Sequence, residues 1–186
     1  MKTIFKKQSA GFTLVEALIT ISIASILASI AIPSFTKMVE GNRISSASNN
    51  FLSALMLARS EAAKRNISVS ICTSNNGSSC STALNDYASG WIIFTDCDDD
   101  GVLTVAATTC DLDGDGSNDS DLLLRVQQKI DNISIIASGA SAEDSFTYRF
   151  SGRPSNPVGF NIGADGQAAK KKINVARSGR VKVDKY

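Results

Sequence analysis

The sequence contains no histidine, the side chain most often used for acid–base catalysis and metal binding near neutral pH. It also has no phosphate loop and no nucleophile elbow of the G-x-S-x-G type. Its four cysteines form no C-x-x-C pair, so a zinc site has little support. These absences argue against the common enzyme classes and predict a structural, non-enzymatic protein that requires no cofactor.

The charges are nearly balanced in number but unevenly distributed. The formal net charge of the 186 residues is +1. Residues 86–144 carry thirteen Asp or Glu and two Lys or Arg, whereas residues 145–186 carry nine Lys or Arg and two Asp or Glu. The chain has room for one long element and one modest domain. We therefore expect a single domain with an acidic middle and a basic end.

One continuous apolar stretch, residues 12–32, holds 21 residues and a single charge, that of Glu16. This length suits a helix that crosses a hydrocarbon core of about 30 Å. Three lysines precede the stretch, so the positive-inside rule places the amino terminus in the cytoplasm and the rest of the chain outside. The small residue suited to cleavage, Gly11, lies before the apolar stretch and not after it. This order predicts a retained single-pass anchor, not an ordinary secretory signal peptide.

The junction at Gly11 carries a specific pattern. The segment KKQSAG ends at Gly11 and is followed by FTLVE, from Phe12 to Glu16. This junction resembles the prepilin signature of type IV pilins and type II secretion pseudopilins. The resemblance implies that residues 1–11 are a leader, that a membrane-bound prepilin peptidase cuts between Gly11 and Phe12, and that Phe12 is then N-methylated. It also implies that Glu16 registers an incoming subunit by meeting a neighbour's amino-terminal amine, since paired buried charges lower each other's desolvation cost.

The periodicity changes after the apolar stretch. Residues 33–66 have apolar side chains at three- and four-residue steps, which predicts an amphipathic helix capped at Asn66. We expect its apolar stripe to lie in the domain core: Phe35, Met38, Val39, Ile44, Ala47, Phe51, Ala54, Leu55 and Ala58. Residues 67–186 should form a mainly β domain. Its predicted strand segments are residues 67–73, 91–96, 122–126, 133–137, 146–150, 158–162 and 173–183.

Three further segments resemble the GspH/FimT group of minor pilins and pseudopilins. They are LARSEAAKRNISVSIC at residues 57–72, GWIIFTD at residues 90–96 and SGRV at residues 178–181. The resemblance implies an α+β fold of the type IV pilin kind, in which a long N-terminal helix packs on a small antiparallel β-sandwich. It further implies a minor subunit of the bacterial inner membrane with a periplasmic domain. Such a subunit assembles with other pilins into a type IV pilus or a type II secretion pseudopilus.

All four cysteines follow the apolar stretch, where an oxidising periplasm favours two disulfides. Cys72 and Cys80 bracket a short turn, and Cys97 and Cys110 bracket an acidic loop. Three pairings are possible. We expect the local one, which joins Cys72 to Cys80 and Cys97 to Cys110.

Two acidic segments fit the start of a calcium loop. Residues 96–101 read DCDDDG and residues 111–116 read DLDGDG, so that alternating carboxylates converge on a hard cation. Neither segment has the glutamate expected at loop position twelve, and a solvated acidic turn is the competing interpretation. The candidate ligands are Asp96, Asp98, Asp100, Asp111, Asp113 and Asp115.

The residues 173–183 are typical of a β-hairpin. A three-residue loop that ends in Gly179 pairs Val175 with Val181 and keeps the apolar side chains on one face. A two-residue loop would instead mix apolar and charged side chains on that face. The sequence therefore predicts the three-residue loop.

The basic side chains of this tail form a candidate DNA-binding surface: Lys170, Lys171, Lys172, Arg177, Arg180 and Lys182. Such a ridge neutralises phosphates without sequence preference and binds in a salt-dependent way. FimT-type pilins of naturally competent bacteria bind DNA through a C-terminal Gly-Arg-x-Arg motif, and residues 179–182, GRVK, are similar. The final lysine lacks the bidentate fork of arginine. The alternatives are a solvated edge hairpin and a basic face that docks on the acidic loop of a neighbouring subunit.

Overall fold

The computed structural model describes residues 12–106, 110–112, 115–138 and 144–185. The described residues form one α-helix, α1 (Leu14–Arg65), and eight strands. The strands are β1 (Val69–Thr73), β2 (Trp91–Thr95), β3 (Leu123–Gln127), β4 (Ile133–Ser138), β5 (Ser145–Tyr148), β6 (Val158–Ala164), β7 (Lys171–Val175) and β8 (Val181–Lys185). A short 3-10 helix, Tyr87–Ser89, precedes β2. The chain divides into two compact units, with the boundary between Gly41 and Asn42.

The helix α1 continues without interruption through Pro33, although proline removes one backbone donor. Its carboxyl end has the predicted features. Lys64 and Arg65 lie in the last turn, where cations interact favourably with the helix dipole. Asn66 follows with a φ of 58°, in the left-handed region that ends many helices.

The eight strands form two antiparallel sheets of four. The order in the first sheet is β3-β2-β1-β5, and the order in the second sheet is β4-β6-β7-β8. Strands β3 and β5 therefore lie at opposite edges of the first sheet, and β8 lies at an edge of the second. The expected α+β architecture, a long N-terminal helix with antiparallel sheets packed on it, is confirmed.

The main core of the second unit is shared by α1 and both sheets, and Phe51 lies at its centre. The ring centroid of Phe51 is 5.1 Å from that of Trp91, 4.8 Å from that of Phe160 and 5.4 Å from that of Tyr87. All four rings are fully buried. Tilted and edge-to-face contacts of this kind add to the hydrophobic gain from burial. The core thus links one helix residue to the first sheet, the second sheet and the short helix between them.

The predicted apolar stripe of α1 is right from Ile44 onward and wrong before it. The side chains of Ile44, Phe51 and Leu55 are buried, but Phe35 and Met38 are exposed by 63% and 60%. Both precede Asn42, where the unit that contains the core begins. Helical periodicity continues across that boundary, so the pattern alone does not show where the packing partner starts.

The ends of the predicted strand segments lie within two residues of the ends of the observed strands. The most informative difference is at Phe150, which was placed at the end of a strand. Strand β5 ends at Tyr148, and the chain then turns back: the Arg149 N–H donates to the Arg153 carbonyl at 2.9 Å. Phe150 lies on this turn and is 57% exposed.

Candidate functional site

The first turn of α1 contains Glu16. The hydroxyl oxygen of Thr13 accepts a hydrogen bond from the Glu16 N–H at 3.2 Å. Thr13 therefore caps the helix, and the spacing of the two residues is that of a capping box. A carboxylate in the first turn also interacts favourably with the positive end of the helix dipole. This local role is separate from the role in assembly that the prepilin resemblance implies.

The part of α1 before Gly41 is apolar and exposed. It is long and apolar enough to cross a membrane. None of the 18 residues in its most apolar segment is buried. From Phe12 to Met38, the large apolar side chains exposed by more than half are Phe12, Leu14, Val15, Leu18, Ile19, Ile21, Ile23, Ile26, Leu27, Ile30, Ile32, Phe35 and Met38. A surface of this kind is stable only against lipid or other helices. The leader, with Gly11, lies outside the described residues.

The β7–β8 hairpin has the predicted register, with Val175 opposite Val181. Gly179 ends the three-residue loop with a φ of 78°, in the left-handed region. A Cβ at this position would also collide with the carbonyl oxygen of Gly152. Conformation and space both require glycine here.

Among the six candidate DNA-binding residues, Lys182 and Lys171 contact other side chains of the chain. The Lys182 Nζ lies 2.7 Å from the Asp184 Oδ1, and the Lys171 Nζ donates a hydrogen bond to the Ser45 Oγ at 3.1 Å. The hydrogen bonds from Lys182 and from Asn174 hold the pKa of the Asp184 carboxyl below its usual range. The outer face of the hairpin is therefore mixed in charge.

The other four residues divide between the loop and β7. Arg177 and Arg180 are exposed at the loop. Lys172 is half-buried and lies over Gly159, where a Cβ would come within 2.7 Å of the Lys172 Cε. Lys170 is exposed just before β7. The lysines therefore lie toward the start of β7, and the two arginines lie at the loop.

The turn after β5 extends this basic surface. We call residues 149–157 the aromatic turn, because exposed Phe150 lies on it. A cleft of about 450 Å³ beside the turn is lined by residues that include Arg149, Phe150, Arg153 and Arg177. The structure thus brings together three arginines and an exposed ring from two separate segments.

Arg59 fixes the position of both segments. Its Nε donates a hydrogen bond to the Gly152 carbonyl at 3.0 Å, and its Nη2 donates to the Ser178 carbonyl at 3.2 Å. One half-buried side chain of α1 therefore holds the aromatic turn and the hairpin loop. Hydrogen bonds that involve a charged group are stronger than those between neutral groups.

The first acidic segment brings carboxylates of Asp96, Asp98 and Asp100 within 4.8 Å of one another. Asp96 is buried and accepts hydrogen bonds from the Ser70 hydroxyl at 2.5 Å and the Gly101 N–H at 3.0 Å. Burial raises the pKa of Asp96 to about 6, and the bonds from Ser70 and Gly101 oppose that rise. Donors within the chain thus account for the shape of this loop, and calcium binding stays a prediction.

The second acidic segment is described only in part, because Asp113 lies outside the described residues. The Asp111 Oδ2 accepts a hydrogen bond from the Gly116 N–H at 2.8 Å, and the Asp115 Oδ1 accepts one from the Ser117 N–H at 2.8 Å. Short-range bonds from aspartate to backbone are typical of turns.

Both disulfides join the local partners that the sequence favoured. The sulfur atoms of Cys72 and Cys80 are 2.02 Å apart, and Cys97 is bonded to Cys110. The first bridge adjoins a small second core on the outer face of the first sheet. This core consists of Cys72, Ile92 and Phe94, with Cys80 and Leu103 partly buried against it.

Comparison with known families shows to which protein family this chain belongs. The model of the type II transport protein GspH matches residues 47–179, which is more than half of the chain. The chain belongs to the GspH family. The model of the prokaryotic N-terminal methylation motif matches residues 6–32. The two matches cover the domain and the junction that sequence patterns had associated with minor pilins.

Solved structures resemble this GspH-family chain in fold. The type IV minor pilin FimU of Pseudomonas aeruginosa has a TM-score of 0.52 and 18% identity over 79% of this chain and 92% of its own. The minor pseudopilin EpsH from the type 2 secretion system of Vibrio cholerae has a TM-score of 0.47 and 11% identity over 77% of this chain and 97% of its own. No curated protein sequence matches the chain.

The GspH-family chain is accordingly a minor pilus or pseudopilus subunit. Its apolar N-terminal helix and methylation motif fit a single-pass inner-membrane protein with a C-terminal domain that becomes part of the fibre. Its role is structural, and nothing in the comparisons concerns DNA uptake.

The sequence patterns did not predict that the residues of the aromatic turn form an exposed surface. Arg149 and Arg153 were counted in the basic end of the chain but not placed, and Phe150 was assigned to a strand. These residues are more than twenty positions from Arg177 in the sequence. The Arg59 hydrogen bonds and the close approach of Gly152 to Gly179 bring the two segments together.

Proposed function

We propose that a prepilin peptidase cuts this GspH-family chain between Gly11 and Phe12, and that Phe12 is then N-methylated. The processed chain is added to a fibre through its exposed apolar helix, where it contacts other pilins. Two observations carry this proposal: the helix before Gly41 exposes its apolar surface, and the unit from Asn42 onward has a core of its own. The methylation motif supports it, because the motif extends across both sides of the junction.

Glu16 provides the register for assembly in this proposal. Cleavage creates an amine on Phe12, and the Glu16 carboxylate of one subunit meets the amine of a neighbour. A lone carboxylate in an apolar span is costly, and an opposite charge offsets much of that cost. The backbone N–H of Glu16 is already satisfied by Thr13, and its side chain is exposed.

Processing is tested by co-expressing the full chain with and without a prepilin peptidase and measuring the intact mass of the product. We expect the loss of residues 1–11 and the addition of one methyl group. Gly11→Val should block both changes, and Ala10→Val, one residue away, serves as the matched control. Cleavage at another position, or an uncut wild-type chain, would contradict the proposal.

The type of fibre is a separate question. The family description names type II transport, whereas one similar structure is a type IV minor pilin. A chromosomal deletion distinguishes the two settings. Loss of exoprotein secretion with normal pili would indicate a pseudopilus, and loss of pili with normal secretion would indicate a type IV pilus.

DNA uptake is the second candidate function. The observation in its favour is that Arg177 and Arg180 are exposed and that Arg177 lines the same cleft as Arg149 and Arg153. Retardation of DNA by the domain from Asn42 onward, at increasing salt, tests it. Binding that is lost in Arg177→Ala with Arg180→Ala would support a DNA receptor. Absence of binding near physiological salt would leave the structural role alone.

A further inference from the structure

The cleft of about 450 Å³ beside the aromatic turn has no role in assembly through the helix. Its lining includes three exposed arginines, Arg149, Arg153 and Arg177, and no Asp or Glu among the described residues. None of the three guanidinium groups forms an ion pair or a hydrogen bond within the part of the chain that the structure describes. Like charges held close together repel one another, so this arrangement is costly without an anion. The cleft therefore has the charge of a site that binds an anionic group.

The cleft is held in shape by bonds within the chain. The Arg149 N–H donates to the Arg153 carbonyl at 2.9 Å, and the Gly152 N–H donates to the Arg149 carbonyl at 2.8 Å. The Arg59 Nε donates to the Gly152 carbonyl at 3.0 Å. The same carbonyl oxygen lies against the hairpin loop, where it leaves no room for a Cβ at Gly179. The site is thus formed before a ligand arrives, which lowers the entropic cost of binding.

Phe150 adds an apolar contact to the cleft. Its ring is 57% exposed, and it follows Arg149 on the turn. Aromatic side chains and arginine are enriched in protein interfaces, and clusters of arginine recognise acidic motifs. A guanidinium group binds a carboxylate with two parallel hydrogen bonds, and an exposed ring packs against an apolar side chain. The expected ligand therefore combines carboxylates with apolar side chains.

We propose that this cleft binds an acidic peptide segment of another fibre subunit, one that is not a second copy of this chain. Carboxylates of that segment pair with Arg149, Arg153 and Arg177, and an apolar side chain between them contacts Phe150. The inference rests on the proposed function only for the source of the segment, which is a neighbour in the fibre. The chemistry of the cleft stands without it.

The acidic loops of a second copy are poor occupants of the cleft. The carboxylates of Asp96, Asp119 and Asp121 each accept a hydrogen bond from a backbone N–H of their own chain. Withdrawal of these acceptors would leave backbone donors unsatisfied, which is costly. A minor subunit is also outnumbered in its fibre by subunits of other kinds. The carboxylates that fill the cleft are therefore expected from a different subunit.

The form of the cleft favours a peptide over a nucleic acid. Its volume of about 450 Å³ suits a short segment. A nucleic-acid strand needs charges that follow its backbone over several phosphates. The hairpin lysines do not continue the cleft in this way, because Lys171 donates to Ser45 and Lys182 is paired with Asp184.

The domain from Asn42 onward is suitable for the test, because every residue of the main core lies at or after Ile44. The probe is a capped hexapeptide of alternating glutamate and leucine, and the matched control peptide has glutamine in place of each glutamate. Isothermal titration calorimetry should show binding of the glutamate peptide and at least about 10-fold weaker binding of the glutamine peptide. No binding of the glutamate peptide at about 1 mM, or equal binding of the two peptides, would overturn the proposal.

Variants of the domain separate the cleft from general effects of charge and folding. Arg149→Gln with Arg153→Gln should weaken binding of the glutamate peptide by at least about 10-fold. Phe150→Ala should weaken it while thermal melting stays unchanged, since the ring is exposed. Arg43→Gln with Lys64→Gln removes two exposed charges of α1 and should leave binding unchanged. Equal losses in the two double variants would mean that only net charge matters, which contradicts a site at the cleft.

A hexathymidylate strand distinguishes a peptide site from a nucleic-acid site. We expect it to bind more weakly than the glutamate peptide. Tighter binding of the strand that is lost in the arginine double variant would refute the proposal. The soluble domain lacks the Gly11 junction, so a failure in these titrations is distinguishable from a failure of the proposed function.

The source of the segment is tested in cells with the full chain. Phe150→benzoylphenylalanine places a photoreactive group at the cleft, and irradiated, sheared fibres should contain a cross-link to an acidic segment of a different subunit. Mass spectrometry of the cross-linked peptide identifies that segment. A cross-link to a second copy of this chain, or no cross-link in fibres that contain the chain, would overturn the proposal.

Discussion

At the scale of single residues, Asp96 shows how a polar group holds an irregular loop against a sheet. Its carboxylate accepts from Ser70 on β1 and from the backbone of Asp100 and Gly101. The group is buried, so ionisation is costly even with these donors. The same residue therefore fixes the start of the acidic loop and makes stability depend on pH.

The pH dependence has a definite sign. The folded-state pKa of Asp96 is about 6, above the unperturbed value of about 3.9. The folded state thus binds the proton more tightly, and this contribution to stability is fully present below the unfolded pKa and lost as pH rises through about 6. In chelator, lowering the pH from 7.5 to 5 should stabilise the wild type relative to Asp96→Asn. The free energy of unfolding of the wild type should therefore rise more, or fall less, than that of the variant. Identical pH profiles in urea titrations would contradict this account.

Gly179 gives a second residue-scale prediction. Alanine there meets both a left-handed backbone and the carbonyl oxygen of Gly152, so Gly179→Ala should destabilise the domain by roughly 2–4 kcal/mol. Gly166→Ala is the matched control. Gly166 has a φ of 70° but nothing within 4 Å of its Cβ position, so we expect a cost of about 1 kcal/mol. Equal losses in denaturant titrations would show that the contact with Gly152 is unimportant.

At the scale of elements, the sequence predicted the features that depend on residues close together in the chain. The β7–β8 register follows from pairing apolar residues on one face and from the need for glycine at the end of the loop. The end of α1 follows from the cap at Asn66. The order of strands within the sheets is different, since it depends on contacts between distant segments such as β1 and β5. The aromatic turn was missed for the same reason.

The calcium hypothesis is also tested at the scale of an element. If calcium fills the first acidic loop, it should raise the melting temperature of the domain relative to chelator. At a free calcium concentration of 100 times the dissociation constant, binding should raise the free energy of unfolding by about 2.7 kcal/mol. Asp98→Asn with Asp100→Asn should remove the gain, and Asp131→Asn, outside the acidic loops, should not. Equal melting temperatures in calcium and chelator would leave the solvated acidic turn as the explanation of this loop.

At the scale of the whole molecule, the chain consists of two units with different environments. The unit from Asn42 onward buries a complete core and carries two disulfides. The helix before Gly41 exposes its apolar side chains and needs lipid or neighbouring helices around it. This division explains why the stripe of α1 was predicted correctly only from Ile44. It also fits a subunit that is stored in a membrane and then transferred to a fibre.

The most direct test of this account is the amount of the chain in sheared fibres from cells that express wild-type, Glu16→Gln or Glu16→Asp protein. The account predicts that Glu16→Gln is cleaved and methylated normally but is nearly absent from the fibres, because a neutral amide cannot offset the charge of a neighbour's amine. Glu16→Asp keeps the charge and should be partly incorporated. Normal incorporation of Glu16→Gln would contradict the account.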